Sequence, residues 1–230
     1  MTTIDADVTY AARADGAVKI YGSGDTEVHA LREVSVGFES GVFTSIMGPS
    51  GSGKSTLMHC MAGLDRLTEG EAYVGGTPLS TLRDRQLTRM RRDSVGFIFQ
   101  SFNLVPTLNA RENITLPMDL GDGVRDPVWV DEVIATVGLA DRASHRPNEL
   151  SGGQQQRVAV ARALATRPDI VFGDEPTGNL DSDTAQRMFD LLRELNERGM
   201  TILYVTHDNH LAAQADRSIT IRDGRIADAD

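Results

Sequence analysis

The pentapeptide Leu150-Ser151-Gly152-Gly153-Gln154 constrains this 230-residue chain more than any other feature, because it lies downstream of a complete phosphate loop, Gly48-Pro49-Ser50-Gly51-Ser52-Gly53-Lys54-Ser55. The spacing G-x-x-x-x-G-K-[ST] by itself says only that a nucleotide is held. One nucleotide has no use for two glycine-rich anion loops from one polypeptide. The second glycine-rich element therefore narrows the architectures open to the chain.

The chemistry of the first loop comes from its residues. Glycines at 51 and 53 let the backbone turn so that several N–H groups point inward at phosphate oxygens. Ser50, Gly51, Ser52 and Gly53 are therefore candidate nucleotide contacts. The loop should feed a helix beginning near Gly53, whose dipole favours negative charge. The Lys54 ammonium suits the β- and γ-phosphates of ATP, the Ser55 hydroxyl suits Mg²⁺, and Thr56 would add a donor to the α-phosphate. The run Val42-Phe43-Thr44-Ser45-Ile46-Met47 before it reads as a short buried strand, the context the motif needs.

A second chemical constellation ends the run Ile170-Val171-Phe172-Gly173-Asp174-Glu175. An apolar strand that delivers two carboxylates at its C-terminal end sits where open α/β sheets collect ligands. Asp174 suits the Mg²⁺ shell through water, and Glu175 suits a general base for an attacking water. Phosphoryl transfer asks for little more than in-line placement and charge neutralisation.

The rest of the chain is consistent with one domain, 1–230. Residues Met1 to about Ala12 read as a loose lead-in, then a strand ending at Tyr21 and a turn over 22–25. Val28 to Phe38 continues an antiparallel portion, and Gly70 to Val74 is a strand with a turn at Gly75-Gly76. Leu79 to Asp93 reads as helix and Val95 to Phe99 as strand. A helical subdomain spans about 100–150. Within it Asp126 and Pro127 start a helix with Val130, Val133, Ile134 and Val137 on one face, and Gly138 ends it. Ser151 caps a helix over Gly152 to Thr166, with Pro168 beyond. Met188, Leu191, Leu192 and Leu195 make the apolar stripe of another helix, which Gly199 closes. Thr201 to Val205 is a buried strand leading to His207, and Asp223-Gly224 turns a hairpin.

Composition excludes some classes. A net charge of −10 argues against nucleic acid as a partner, which wants a basic face. The single cysteine, Cys60, reads as a small buried hydrophobe and fits a reducing cytoplasm. No apolar run reaches the roughly 18–20 residues that cross a bilayer, and the acidic, polar start has no signal-peptide pattern.

The paired loops resemble the ATP-binding-cassette (ABC) family, and the likeness extends over about Val18 to Ile226. The resemblance implies an α/β fold: a P-loop NTPase cassette with a RecA-like core, an antiparallel β subdomain and a helical subdomain. It implies a head-to-tail homodimer in which Ser151, Gly152, Gly153 and Gln154 meet the ATP held by the other copy, with Ser151 and Gly153 at its γ-phosphate. Tyr21 matches the aromatic residue that stacks on adenine, and Gln100 the glutamine that joins the Mg²⁺ shell or holds the attacking water. Pro176 to Asp181 matches the loop that crosses the dimer seam, where Asp181 helps place the water. His207 matches the histidine that holds Glu175 and the water in register. The other histidines, His29, His59, His145 and His210, have no such context. Gln155, Gln156 and Arg157 read as polar surface near the nucleotide.

The chain holds no span, so its membrane permease must be another polypeptide, with the cassette at the cytoplasmic face of the membrane. Gly22 to Leu31, Phe99 to Leu108 and Asp174 to Asp181 look like the macrolide-efflux and lipoprotein-release subfamily, whose few-span permeases often work by mechanotransmission on drug, peptide, lipoprotein or haem cargo. DNA-repair ABC proteins need long coiled coils, for which the interval from Lys54 to Ser151 has no room, and translation-associated ones need two cassettes. An ATPase of a cell-division complex that regulates cell-wall hydrolysis would use the same residues and is the alternative.

Overall fold

The computed structural model describes residues 8–121 and 126–229. The first strand, β1 (Tyr10–Tyr21), pairs antiparallel with β2 (Val28–Glu39). After β3 (Phe43–Met47) come helix α1 (Lys54–Met61), strand β4 (Glu69–Val74) and a two-residue strand β5 (Thr77–Pro78). Helix α2 (Asp84–Ser94) leads into β6 (Val95–Phe99), and then come α3 (Ala110–Asp119) and α4 (Pro127–Thr136). The remainder is α5 (Gly152–Leu164), β7 (Ile170–Asp174), α6 (Ser182–Glu197), β8 (Thr201–Val205), α7 (Asn209–Ala212) and a terminal hairpin of β9 (Arg217–Arg222) and β10 (Arg225–Ala229).

Two sheets result. One is antiparallel, ordered β2-β1-β4-β5. The other runs β10-β9-β3-β8-β7-β6 and is parallel except for its edge hairpin. Strands β3, β7 and β8 are buried almost throughout, as a parallel sheet covered on both faces requires. Their side chains alternate with period two. Phe43, Val171, Ile202 and Tyr204 face a cluster with α3–α6, including Ile114, Val130, Val158 and Phe189. Ile46, Ile170, Phe172, Leu203 and Val205 face the opposite cluster, with Leu57, Met58 and Met61 of α1 and Leu31, Val36 and Phe38 of β2. The parallel sheet is thus the middle layer, and the antiparallel sheet covers α1 from outside. Phe43 stacks on Phe189 with ring centroids 5.0 Å apart; truncating either to Ala would cost about 3–5 kcal/mol.

Cys60 lies in the second cluster, and burial pushes its thiol up to about 12, so it behaves as the small hydrophobe expected. The stripe on α6 is also as expected, with Met188, Leu192 and Leu195 buried and Leu191 packed partly against them.

Four local readings need correction. The lead-in is shorter than expected: β1 already begins at Tyr10, paired with Glu39, while positions 1–7 lie outside the described residues. The helix expected over Leu79 to Asp93 is a 3-10 turn at Leu79–Thr81 and then α2. Helix α5 stops at Leu164, not Thr166, and Arg167 takes a left-handed φ of 55°; the residue before a proline is disfavoured in the helical region. Finally, Gln156 is not surface. It is fully buried, and neither its amide nitrogen nor its oxygen has a hydrogen-bond partner.

Candidate nucleotide site

Register builds the site. Across the parallel sheet, Phe99 pairs with Asp174, Asp174 with Val205, and Val205 with Ile46. This row ends β6, β7 and β8 and falls one residue short of the end of β3, so the segments just beyond those strands emerge together on one edge. They carry Gln100, Glu175, His207 (two residues past Val205) and the phosphate loop.

The loop takes the backbone shape its glycines were expected to allow. Gly51 has φ 76° with open space around its Cα, so its requirement is conformational. Gly53 has φ 105°, and a Cβ there would come 2.4 Å from the Ala30 carbonyl oxygen, so its requirement is also spatial. Lys54 is 6% exposed. Its ammonium donates to the carbonyls of Gly48 and Pro49, each at 2.9 Å. Helix α1 begins at Lys54 with no side-chain cap and no acid in its first turn. Free N–H groups at such an end suit an anion. Ser52 Oγ is buried with no hydrogen-bond partner. Ser50 is exposed and Thr56 half-buried in the first turn of α1.

Ser55 Oγ donates to Asp174 Oδ1 at 3.0 Å. A hydroxyl beside a carboxylate is the hard-oxygen pairing that Mg²⁺ takes, with phosphate oxygens and waters completing the shell. These features fit a triphosphate with its cation. Burial raises the Asp174 carboxyl above its ordinary value, and the hydrogen bond from Ser55 and the nearness of His59 only partly offset it. His59 Nε2 lies 3.7 Å from Asp174 Oδ2, a neighbour that the motifs alone did not reveal. The signal was present: His59 is one helical turn beyond Ser55, on the same face.

Glu175 sits with φ 45°, a left-handed conformation that is strained for a residue with a side chain. Its Oε2 is 3.4 Å from His207 Nδ1. Gln100 is exposed at the end of β6. Its carbonyl accepts from Asn179 Nδ2 at 2.9 Å, and a Cβ on Gly178 would lie 2.8 Å from its Nε2, so it leans on the segment after Glu175.

Tyr21 is 41% exposed at the end of β1, with its hydroxyl donated to Asp65 Oδ2 at 2.7 Å.

Residues 151–154 open helix α5. Ser151 caps α5: Gln154 N donates to its Oγ, and Ser151 N donates to Gln154 Oε1 at 2.9 Å. Phe102 and Leu180 lie against Gly152, and a Cβ on Gly153 would meet the Thr184 methyl at 2.7 Å. Asp181 caps α6 by accepting from Thr184 N at 3.0 Å, and this bonding holds its carboxyl below the usual range. Ser151 and Asp181 thus start two helices that touch at Gly153 and Thr184.

The sequence matches the family model described as ABC transporter over residues 31–178. This chain belongs to the ABC transporter family. It is 46% identical to the macrolide export ATP-binding/permease protein MacB of Bdellovibrio bacteriovorus over 92% of its own length, and spans 32% of that polypeptide. The solved dimeric structure of MJ0796, a bacterial ABC transporter cassette, superposes with a TM-score of 0.86 at 42% identity, covering 95% of this chain and 97% of that one. A post-hydrolysis dimer of the same cassette bound to ADP and Pi superposes with a TM-score of 0.85, with the same identity and coverage. The chain is an ABC ATPase cassette, with the mixed parallel core, antiparallel sheet and helical elements of that fold. No helix among the described residues is long and apolar enough to cross a membrane.

Proposed function

We propose that this cassette binds ATP·Mg²⁺, hydrolyses it as a head-to-tail homodimer and drives a separate membrane permease. The observation that carries the reading is the shared strand-end row, with Ser55 bonded to Asp174 and Glu175 beside His207. Backbone N–H groups of Ser50 to Gly53 cradle the phosphates, Lys54 neutralises the β- and γ-phosphates, Thr56 donates to the α-phosphate and Tyr21 stacks on the base. Ser55, Asp174 and Gln100 would hold Mg²⁺, which would supply charge neutralisation at the phosphates. Glu175 takes the proton of the attacking water, and His207 keeps that carboxylate in line.

Ser151, Gly152, Gly153 and Gln154 serve the partner copy's ATP. The dimeric form of the matched MJ0796 cassette supports that assignment. Asp181 lies at the seam. The permease is a few-span protein of the macrolide-export type, with the cassette on the cytoplasmic face of the membrane. The likeness to MacB supports this.

Changing Glu175 to Gln tests the reading. Hydrolysis should fall about 10²-fold or more, and light scattering with ATP·Mg²⁺ should find a dimer that hydrolysis no longer dissolves. Membranes solubilised with this variant should yield a stoichiometric few-span permease. Hydrolysis at the ordinary rate would remove Glu175 as base; a many-span permease would remove the subfamily assignment.

A further inference from the structure

We propose that Lys19 and Asp65 are positioning residues that clamp Tyr21 into a fixed, single-faced stacking platform, which selects for the presence of a nucleobase but not for its identity. The inference rests on the ATP-binding reading above. Neither residue belongs to a nucleotide motif, and they are 46 positions apart.

Lys19 and Tyr21 are two apart on β1, so they project on the same face. The pairing of β1 with β2 shifts register on both sides of Lys19. Such irregularities re-aim side chains next to functional sites. Lys19 is 9% exposed. Its ammonium donates to Asp65 Oδ1 at 2.6 Å and to the Arg66 carbonyl at 2.7 Å. It also stands 4.7 Å from the centroid of the Tyr21 ring. A cation over one face occupies that face and leaves the opposite one for a base. The other Asp65 oxygen takes the Tyr21 hydroxyl at 2.7 Å. The ring is therefore held at its tip and from one side.

The loop supplying Asp65 is itself fixed at both ends. Asp65 N donates to the His59 carbonyl at 3.2 Å, tying the clamp to the end of α1. Thr68 N donates to the Val18 carbonyl at 2.8 Å and Thr68 Oγ1 accepts from Ile20 N at 3.0 Å, tying it to β1. The clamp bridges the antiparallel sheet and the phosphate helix.

Recognition is affected in two ways. Lys19 and Asp65 neutralise each other, so the platform offers a neutral base no net charge. The Tyr21 hydroxyl donates to Asp65, so its proton reads no base edge. Stacking is tolerant of base identity because every base has a π-face.

The test is equilibrium binding without Mg²⁺ of three probes, ATP, GTP and inorganic tripolyphosphate, to the full chain and to Tyr21→Ala, Lys19→Met and Asp65→Asn. ATP and GTP should bind the unaltered chain within about threefold of each other. Tyr21→Ala should weaken both by about tenfold, and Lys19→Met and Asp65→Asn by about three- to tenfold. Tripolyphosphate should bind all four proteins alike, which separates the clamp from a general loss of structure. An alkaline absorbance titration gives a second readout. Burial and then Asp65 push the Tyr21 phenol up to about 12, and Asp65→Asn should bring it down, with Tyr21→Phe as the reference. A chain that binds neither ATP nor tripolyphosphate would overturn the ATP-binding reading itself. Loss of ATP binding in Tyr21→Ala alone, with Lys19→Met and Asp65→Asn unchanged, would overturn only the clamp. So would a large preference for ATP over GTP, or an equal loss of tripolyphosphate.

Discussion

Ser55 Oγ donates to Asp174 Oδ1 across 3.0 Å, although 119 positions separate the two residues. The bond joins the first turn of α1 to the end of β7. Asp174→Ala and Ser55→Ala should each raise the Mg²⁺ concentration needed for half-maximal hydrolysis. The double variant should be little worse than either alone, because residues in one network do not add. A Mg²⁺ titration of the ATPase rate measures this, and simple additivity would separate the two roles.

The backbone at Glu175 sets activity against stability. A left-handed φ of 45° costs a residue with a side chain about 1 kcal/mol or more, and glycine is free of that cost. Glu175→Gly should abolish hydrolysis yet melt higher than Glu175→Ala, which keeps the strain, by about 1 kcal/mol. Thermal unfolding of the two variants decides it; equal melting would mean the surroundings relax the strain.

Asn113 is fully buried and its amide makes four hydrogen bonds, to the Val105 amide and to the carbonyls of Val105, Leu108 and Asn109. It staples the segment after Gln100 to α3. Asn113→Ala removes the partner of the Val105 amide and of the Leu108 carbonyl, while the Val105 and Asn109 carbonyls keep the backbone amides of Leu108 and Asn113, and it should cost about 2–4 kcal/mol, or roughly 5–15 °C in melting temperature for a chain of this size. A shift under about 2 °C would mean that water replaces the amide.

The Asp65 carboxyl predicts a pH dependence with a definite sign. Burial alone would raise it, but bonds from Lys19, the Tyr21 hydroxyl and the Arg66 amide outweigh burial and hold it below its ordinary 3.8. A carboxyl depressed by folding stabilises fully above its unfolded value, and the effect is lost as pH falls through the folded one. The melting gap between the unaltered chain and Asp65→Asn should be full at about pH 6 and shrink as pH falls below the ordinary carboxyl value of 3.8 and through the lower folded one. A gap constant over that range would mean that the charge on Asp65 contributes nothing.

The motifs were legible because each needs only local spacing plus a strand or helix of the right period. The loop at 48–55, the acids at 174 and 175 and the cap at Ser151 all obey that rule. Lys19 and Asp65 were not legible, since sheet register and a loop tie bring them together and neither leaves a periodic trace. Gln156 was misread for another reason. Its family-like neighbours suggested surface, yet Val160 and Ala163 come after it at helical spacing and share its burial. Periodicity applied without regard to polarity would have found it.

Helix α5 has thirteen residues, a rod roughly 20 Å long. Gly152 at its start lies against the Phe102 ring, while Arg162 near its end grips the carbonyls of Phe102 and Asn103 at 2.9 and 2.6 Å. The 100–106 segment is strapped lengthwise to that rod. With its ring at the front of the rod and its carbonyl near the back, Phe102 spans most of the helix's length.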